Sequence, residues 1–156
     1  MIQIAVPGYR TLQLEHLVLD YNGTLAVDGE PLPGVGKALR QLAQKLEIHV
    51  VTADTFGKVR SRLADGPWRI VLLPAEDQAE GKRQFVRRLG AEQTAAVGNG
   101  RNDRWMLQEA ALGVAVVQAE GAAWETLCQA DVVCPNALAA LELLLHPLRL
   151  VATLRS

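Results

Sequence analysis

A short stretch of the chain, LVLDYNGTLA at positions 17–26, joins an apolar run to a single carboxylate. Three aliphatic residues precede Asp20, and Asn22 follows it, in a small polar turn with Gly23 and Thr24. The apolar run is typical of a strand buried on both faces, so Asp20 is expected at the strand's end. A carboxylate in that position can ligate a cation or attack phosphorus.

Polar residues of the same kind follow other apolar runs. Thr52 follows IHVV, whereas Asn99, Asn102 and Asp103 follow TAAVG; Lys82 lies near the start of a predicted helix. Magnesium takes oxygen ligands, and lysine and hydroxyl groups neutralise and orient phosphoryl oxygens. Together with Asp20, these residues indicate a site for Mg²⁺ and a phosphate group.

The elements that must position these residues alternate between strand and helix. This order predicts an α/β fold with a mainly parallel sheet and helices on both faces, preceded by an N-terminal β-hairpin around Pro7 and Gly8. Helices are predicted over 35–46, 55–63 (opened by an Asp54 or Thr55 cap), 78–89, 102–111, 122–129 and from near 136. Ligands of such sheets bind outside the carboxyl ends of the strands, where the polar residues above are expected to meet.

Length and composition narrow the possible partners. The 156 residues, 49% of them hydrophobic, predict a single domain over 1–156. The chain has sixteen basic and seventeen acidic residues, so its net charge is close to zero and no nucleic-acid partner is expected. The apolar stretch 138–154 is too short and too interrupted to span a bilayer, and no signal-like segment opens the chain. A cytoplasmic protein without a membrane partner is expected.

Histidine and cysteine show no metal-binding spacing. His16, His49 and His146 are scattered along the chain, and structural roles are favoured for all three. Cys128 and Cys134 do not form a CxxC pair. The sequence therefore predicts no zinc site.

The chain resembles the haloacid-dehalogenase (HAD) superfamily over about 17–147. LVLDYNGTLA is similar to the first motif of that family, and HVVTAD is similar to the second. Lys82 is placed like the lysine of the third motif, and VGNGRNDRWML is similar to the fourth motif. The combination of DYNGT and TAD also resembles soluble relatives of P-type ATPase phosphorylation domains. This resemblance implies a three-layer Rossmannoid fold and phosphoryl chemistry.

The resemblance also implies a role for each site residue. Asp20 would be the nucleophile and a metal ligand, and Thr52 and Lys82 would hold the phosphoryl group with help from Asn102. The remaining metal ligands would be the backbone carbonyl of Asn22, the side chain of Asn99 and, directly or through water, Asp103.

Two residues depart from the family pattern. Asn22 stands where family phosphatases have an aspartate that protonates the leaving group and activates water, and such help is worth roughly 100- to 10,000-fold in rate. P-type ATPases have threonine there and still form and break an aspartyl-phosphate. Asn99 stands where the fourth motif commonly has a metal-binding aspartate, so weaker metal binding is expected.

The spacing of the motifs predicts a protein without a cap domain. The intervals from Asp20 to Thr52 and from Thr52 to Lys82 hold only a helix with a strand or loop each. Capless relatives act on large substrates or cover the site with a neighbouring subunit, so a homo-oligomer is a second expectation. The leucine-rich segment 138–150 could supply its surface or could equally close the core.

Three functions are consistent with these observations. The first is an Mg²⁺-dependent phosphohydrolase or phosphotransferase, slowed by Asn22, that acts on a phosphorylated small molecule or phospho-macromolecule through Asp20. The second is a weak or inactive domain that binds a phospho-ligand or a protein partner, favoured by Asn22 and Asn99. The third, a purely structural relic of the fold, accounts poorly for the retained Asp20, Thr52, Lys82 and Asp103.

Overall fold

A computed structural model of the chain describes residues 1–53, 58–63 and 65–156. Its strands are β1 (Ile2–Ala5), β2 (Thr11–Leu14), β3 (His16–Asp20), β4 (Ala26–Val27), β5 (Glu30–Pro31), β6 (Glu47–Thr52), β7 (Trp68–Leu72), β8 (Thr94–Gly98), β9 (Leu112–Val116) and β10 (Val132–Cys134). Its helices are α1 (Val35–Leu42), α2 (Lys58–Arg62), α3 (Gln78–Leu89), α4 (Arg104–Glu109), α5 (Trp124–Gln129), α6 (Ala137–Leu145) and α7 (Pro147–Leu154). The predicted cap at Asp54 or Thr55 lies outside the described residues.

A parallel sheet of six strands forms the centre of the molecule. Its order is β10-β9-β8-β3-β6-β7, and each described neighbouring pair is parallel. The strand that ends in Asp20 therefore lies in the middle, between β8 and β6. The N-terminal strands β1 and β2 form a separate antiparallel hairpin. The predicted mainly parallel sheet and N-terminal hairpin are confirmed.

Each face of the sheet has its own apolar core. Along β3, Leu17 and Leu19 point into one core, which also holds side chains from the N-terminal hairpin, α1 and α6. Val18 points into the other core with residues of α3 and α4, among them Val86 and Met106. Since side chains of a strand alternate between the two faces, both cores require the continuous apolar runs seen in the sequence.

The structure changes the bounds of several predicted helices, most of all those of the first and the last. The helix predicted over 35–46 ends at Leu42, and turns carry the chain into β6 while Leu46 stays buried. The final helix is two helices, α6 and α7, bent by 101° at the break. Pro147 begins the second one because proline has no N–H to donate and fits the first helical position.

A small hairpin that the sequence reasoning did not anticipate follows Asp20. Strands β4 and β5 pair Ala26 with Pro31 and Val27 with Glu30. Asp28 and Gly29 connect them with φ angles of 51° and 81°. Two successive left-handed residues are typical of a type I′ turn, which tightly joins antiparallel strands.

In the described part of the chain, the intervals between the predicted motifs contain no separate cap domain. Between Asp20 and Thr52 lie the β4–β5 hairpin and α1, and the described residues between Thr52 and Lys82 contribute α2 and β7. No single helix among the described residues is long and apolar enough to cross a membrane, and α6 and α7 meet that criterion only as a bent pair.

Candidate active site

The predicted site residues gather at the carboxyl edge of the sheet. Asp20 is the last residue of β3, Thr52 ends the neighbouring β6, and Gly98 ends β8 on the other side. The side chain of Asp20 is 10% exposed, so it is enclosed by protein but still reaches the surface. Thr52 is buried. The parallel register is what brings these strand ends to one place.

Lys82 connects the two carboxylates of the site. Its Nζ donates to Asp20 Oδ1 at 2.8 Å and to Asp103 Oδ1 at 2.6 Å. The lysine side chain is 1% exposed, and Asp103 is completely buried. Lys82 lies on α3 and Asp103 precedes α4, so the packing of these two helices brings together residues far apart in sequence. The three side chains form a buried triad with a net charge of −1 when all are ionised.

The carboxylate of Asp103 also organises the loop after β8. Its Oδ2 accepts hydrogen bonds from the backbone N–H groups of Asn99 and Gly100, at 3.0 and 2.9 Å. A side chain at Gly98 would place its Cβ 2.6 Å from the carboxyl carbon of Asp103, closer than atoms can pack. Glycine is therefore required before Asn99 if Asp103 is to reach Lys82.

Burial and the neighbouring opposite charges have opposite effects on the pKa values of Asp20 and Lys82. Burial and, next, the charge of Asp103 raise the pKa of Asp20, Lys82 lowers it, and the net result is a pKa of about 7. Burial alone would lower the pKa of Lys82, but the charges of Asp20 and Asp103 raise it. The lysine therefore stays protonated, while Asp20 exchanges a proton near neutral pH.

Asn99 is held beside Asp20 in a defined orientation. Its Nδ2 donates to the carbonyl of Gly121 at 3.0 Å, and its Oδ1 accepts from Thr24 Oγ1 at 3.1 Å. The same hydroxyl lies 3.4 Å from Asp20 Oδ2. Gly23 packs directly on this amide, because a Cβ there would lie 2.4 Å from Asn99 Nδ2. Two side-chain oxygens, from Asp20 and Asn99, thus lie on either side of one hydroxyl.

Asn22 and Asn102 lie at the rim of this group. Asn22 is exposed in the turn after β3. Asn102 is half-buried, and its Nδ2 donates to Gln78 Oε1 at 2.7 Å, at the start of α3. The predicted roles of Asn102 toward phosphate and of the Asn22 carbonyl toward metal stay predictions.

Gln118 is a site-building residue that the sequence reasoning missed. Its Nε2 donates to the carbonyls of Gly23 and Thr24, at 2.7 and 2.6 Å, and its Oε1 accepts from the N–H of Ala137. One side chain therefore connects the turn after Asp20 to the start of α6. Gln118 follows the end of β9. It is therefore a polar residue at the carboxyl end of a strand, the same signal in the sequence that identifies Asp20 and Thr52.

The donors at this edge suit a magnesium ion. The side-chain oxygens of Asp20 and Asn99 lie around the Thr24 hydroxyl, and oxygen is the ligand type that Mg²⁺ prefers. Both oxygens of Asp103 already accept hydrogen bonds from the protein, so this residue also acts by positioning Lys82 and the loop at Asn99.

Several solved structures that are similar to this chain are described as hydrolases or phosphatases. A HAD superfamily (subfamily III A) hydrolase from Legionella pneumophila superposes with a TM-score of 0.67 and 18% identity over 90% of this chain and 87% of that one. The cobalt-bound deoxy-D-mannose-octulosonate 8-phosphate phosphatase from Haemophilus influenzae superposes with a TM-score of 0.71 and 17% identity, over 86% of this chain and 88% of that one. This chain has the HAD fold. A 3-deoxy-D-manno-octulosonate 8-phosphate phosphatase from Moraxella catarrhalis was solved in complex with a magnesium ion, a phosphate ion and a KDO molecule. It superposes with a TM-score of 0.63 and 15% identity over 91% of this chain and 87% of that one.

Similarity in sequence leads to proteins whose function is not known. An uncharacterized protein of Methanocaldococcus jannaschii is 45% identical over 60 residues, which cover 38% of this chain and 64% of that protein. A second uncharacterized protein of that organism is 44% identical over 39 residues, 25% of this chain and 89% of its own length. The chain belongs to the same family as this second protein. No family model matches the chain.

Proposed function

We propose that this HAD-fold chain is a magnesium-dependent phosphohydrolase that acts through a phosphoryl intermediate on Asp20. The observation that supports it most is the buried triad, in which Lys82 lies 2.8 Å from Asp20 and 2.6 Å from Asp103. A purely structural site would gain little from three buried charges, because desolvation offsets most of their attraction. A phosphoryl group entering the site would instead use the ammonium and the carboxylate.

In the proposed reaction an oxygen of Asp20 attacks the phosphorus of a phosphomonoester, and the bond to the leaving oxygen breaks. The leaving oxygen takes its proton from water. A second water then attacks the phosphorus, the bond to Asp20 breaks, and inorganic phosphate leaves. Lys82 stabilises the negative charge of the phosphoryl oxygens and favours the ionised, nucleophilic form of Asp20. Magnesium, held by Asp20, Asn99 and the Asn22 carbonyl, would neutralise further charge on the phosphoryl group.

The proton transfers are the slow part of this scheme. Asn22 is exposed at the rim of the site, where an acid could reach both the leaving group and water, but an amide can neither give nor accept that proton. The same residue favours a second candidate function, a phospho-ligand-binding domain with little turnover. The two functions share one site and differ in whether Asp20 forms a covalent bond.

The substrate class proposed is a phosphomonoester. The two octulosonate 8-phosphate phosphatases described above are 17% and 15% identical to this chain, so they support the fold and the reaction type more than a particular substrate. Without a cap among the described residues, the site is open enough for a phosphorylated small molecule or an exposed phosphate on a macromolecule.

The experiment that tests this function restores the missing acid. The replacement Asn22→Asp changes one exposed amide to a carboxylate of nearly the same shape, so folding should be unaffected. We expect magnesium-dependent hydrolysis of an aryl phosphate to rise at least about tenfold, near the low end of acid–base effects. Asp20→Asn in that background should abolish the gain.

A matched control separates this effect from added charge. Gln13→Glu introduces the same charge on the exposed side of the N-terminal hairpin and should leave the rate unchanged. If Asn22→Asp stays at the wild-type rate while phosphate still binds, the binding function replaces the enzymatic one. If neither turnover nor phosphate binding is measurable, both are wrong.

A further inference from the structure

The opposite edge of the sheet holds a second group of chemically active side chains. His16 begins β3 and Glu47 begins β6, and these two residues are register partners. His49 lies two residues along β6, so its side chain points to the same face as that of Glu47. The imidazole nitrogens and the carboxylate oxygen of this group all lie within 4.8 Å of one another.

We propose that His16, Glu47 and His49 bind a divalent transition-metal ion of the zinc class, at a site separate from that of Asp20. His16 and Asp20 are the two ends of β3, four residues apart, which corresponds to about 13 Å along an extended strand. The proposal therefore does not depend on the phosphohydrolase function, and the two can fail independently.

The distances between the ligand atoms support this site. His49 Nε2 lies 3.4 Å from His16 Nδ1, and that nitrogen lies 4.0 Å from Glu47 Oε2. In a tetrahedral zinc site with bonds near 2.0–2.1 Å, neighbouring ligand atoms are about 3.3 Å apart. The two nitrogens already have that separation. The glutamate side chain is 57% exposed, so it can move by the roughly 0.7 Å that separates its 4.0 Å distance from His16 Nδ1 from this tetrahedral spacing.

The proposed metal site is packed against protein on one side and open to a cleft on the other. His49 is buried, and its ring meets the edge of Phe85 from α3, with ring centroids 5.4 Å apart. Burial lowers the pKa of His49 to about 4, so this imidazole is neutral at physiological pH and keeps a lone pair for metal. On the other side, His16 and Glu47 line a cleft of about 460 Å³, which leaves room for water as a fourth ligand.

The nature of the ligands selects the class of ion. Two imidazole nitrogens and one carboxylate suit zinc, nickel, cobalt or copper, whereas magnesium prefers oxygen ligands alone. One charged group competes for the site. Arg69 on β7 has its Nη2 3.7 Å from Glu47 Oε2, and it must release this carboxylate when a cation binds.

The test is a calorimetric titration of the whole chain with Zn²⁺ in a large excess of Mg²⁺, which occupies oxygen-only sites. We expect one equivalent of zinc to bind the wild type. Glu47→Gln and His16→Gln should each weaken binding at least tenfold, whereas Arg69→Gln should strengthen it. His146→Gln, which removes an exposed histidine on the α6–α7 break, is the matched control and should bind as the wild type does.

Two further measurements keep the result decisive. Asp20→Asn should retain zinc binding, since it alters only the other edge of the sheet. Glu47→Gln alters an exposed side chain, so its loss of binding cannot be ascribed to misfolding if the circular dichroism spectrum is unchanged. Equal zinc affinity in the wild type, Glu47→Gln and His16→Gln would overturn the proposal, and so would complete displacement of zinc by magnesium.

Discussion

Removal of the charge on Asp20 should stabilise the protein in the absence of divalent cations. The side chain is enclosed at the sheet edge with Asp103 nearby, and burial raises its pKa from 3.8 to about 7. The folded state therefore binds a proton at Asp20 more tightly than the unfolded state does. Asp20→Asn keeps the shape of the protonated form and cannot ionise.

The sign and size of the effect follow from proton linkage. Between about pH 4 and pH 7 the folded protein holds more protons at Asp20 than the unfolded chain, so the free energy of unfolding falls as pH rises. Each pKa unit corresponds to about 1.4 kcal/mol, which gives an upper value on the order of 4 kcal/mol at pH 8. The pKa of about 7 already includes the attraction of Lys82, and the partial exposure of the Asp20 side chain lowers the effect below this upper value. We therefore expect Asp20→Asn to be about 1–4 kcal/mol more stable than the wild type at pH 8, and nearly equal to it at pH 4.

Urea denaturation at pH 4, 6 and 8 with a chelator present measures this difference. The control is Asp28→Asn, which makes the same chemical change at an exposed turn residue with φ of 51°, and should alter stability by less than about 0.5 kcal/mol. Magnesium should then stabilise the wild type and not Asp20→Asn. If Asp20→Asn is less stable than the wild type at pH 8, Asp20 is a favourable structural ion pair, and the reasoning from burial is wrong.

Three further predictions concern the same edge of the sheet. Gly98→Ala should lower the free energy of unfolding by roughly 1–3 kcal/mol in urea titrations, because its Cβ would overlap the carboxyl group of Asp103; an unchanged midpoint would contradict this packing. Gln118→Ala should lower both stability, by about 1 kcal/mol, and aryl phosphatase activity, since two carbonyls of the turn after β3 lose their donor; wild-type activity would show that the turn keeps its shape without it. Magnesium binding should weaken as pH falls below 7 and should release protons from Asp20, measured by calorimetry in buffers of different ionisation enthalpy; a pH-independent affinity would exclude Asp20 as a ligand.

The alternation of apolar runs and helical spacing was sufficient to predict the class of fold. Runs such as LVL before Asp20 and AAV before Gly98 are apolar at every position, as is expected of a strand covered on both faces. Apolar spacing defines the ends of helices less sharply than it defines the strands. Leu46 continues the helical spacing of α1 yet belongs to the turn that follows Leu42, because a buried leucine four residues on fits a turn as well as a helix.

The contacts within the site depend on how the helices pack. The sequence places Asp20 and Asp103 at strand ends, but the distance from either to Lys82 depends on how α3 and α4 pack on the sheet. The same holds for Gln118, whose two carbonyl partners lie more than ninety residues earlier in the chain. Spacing along the chain carries no information about such contacts between distant segments.

The sequence alone determined which residues lie at strand ends, because the period of two and the apolar runs set the direction and limits of each strand. His16 and His49 are 33 residues apart in the sequence and show no metal-binding spacing, so the sequence favours structural roles for both. The pairing of β3 with β6 was decided only in three dimensions, and it places Glu47 beside His16 and brings His49 within 3.4 Å of that histidine. A parallel register joins residues separated by an entire helix and loop, and the register is set by the burial of both sheet faces at once, which no local pattern contains.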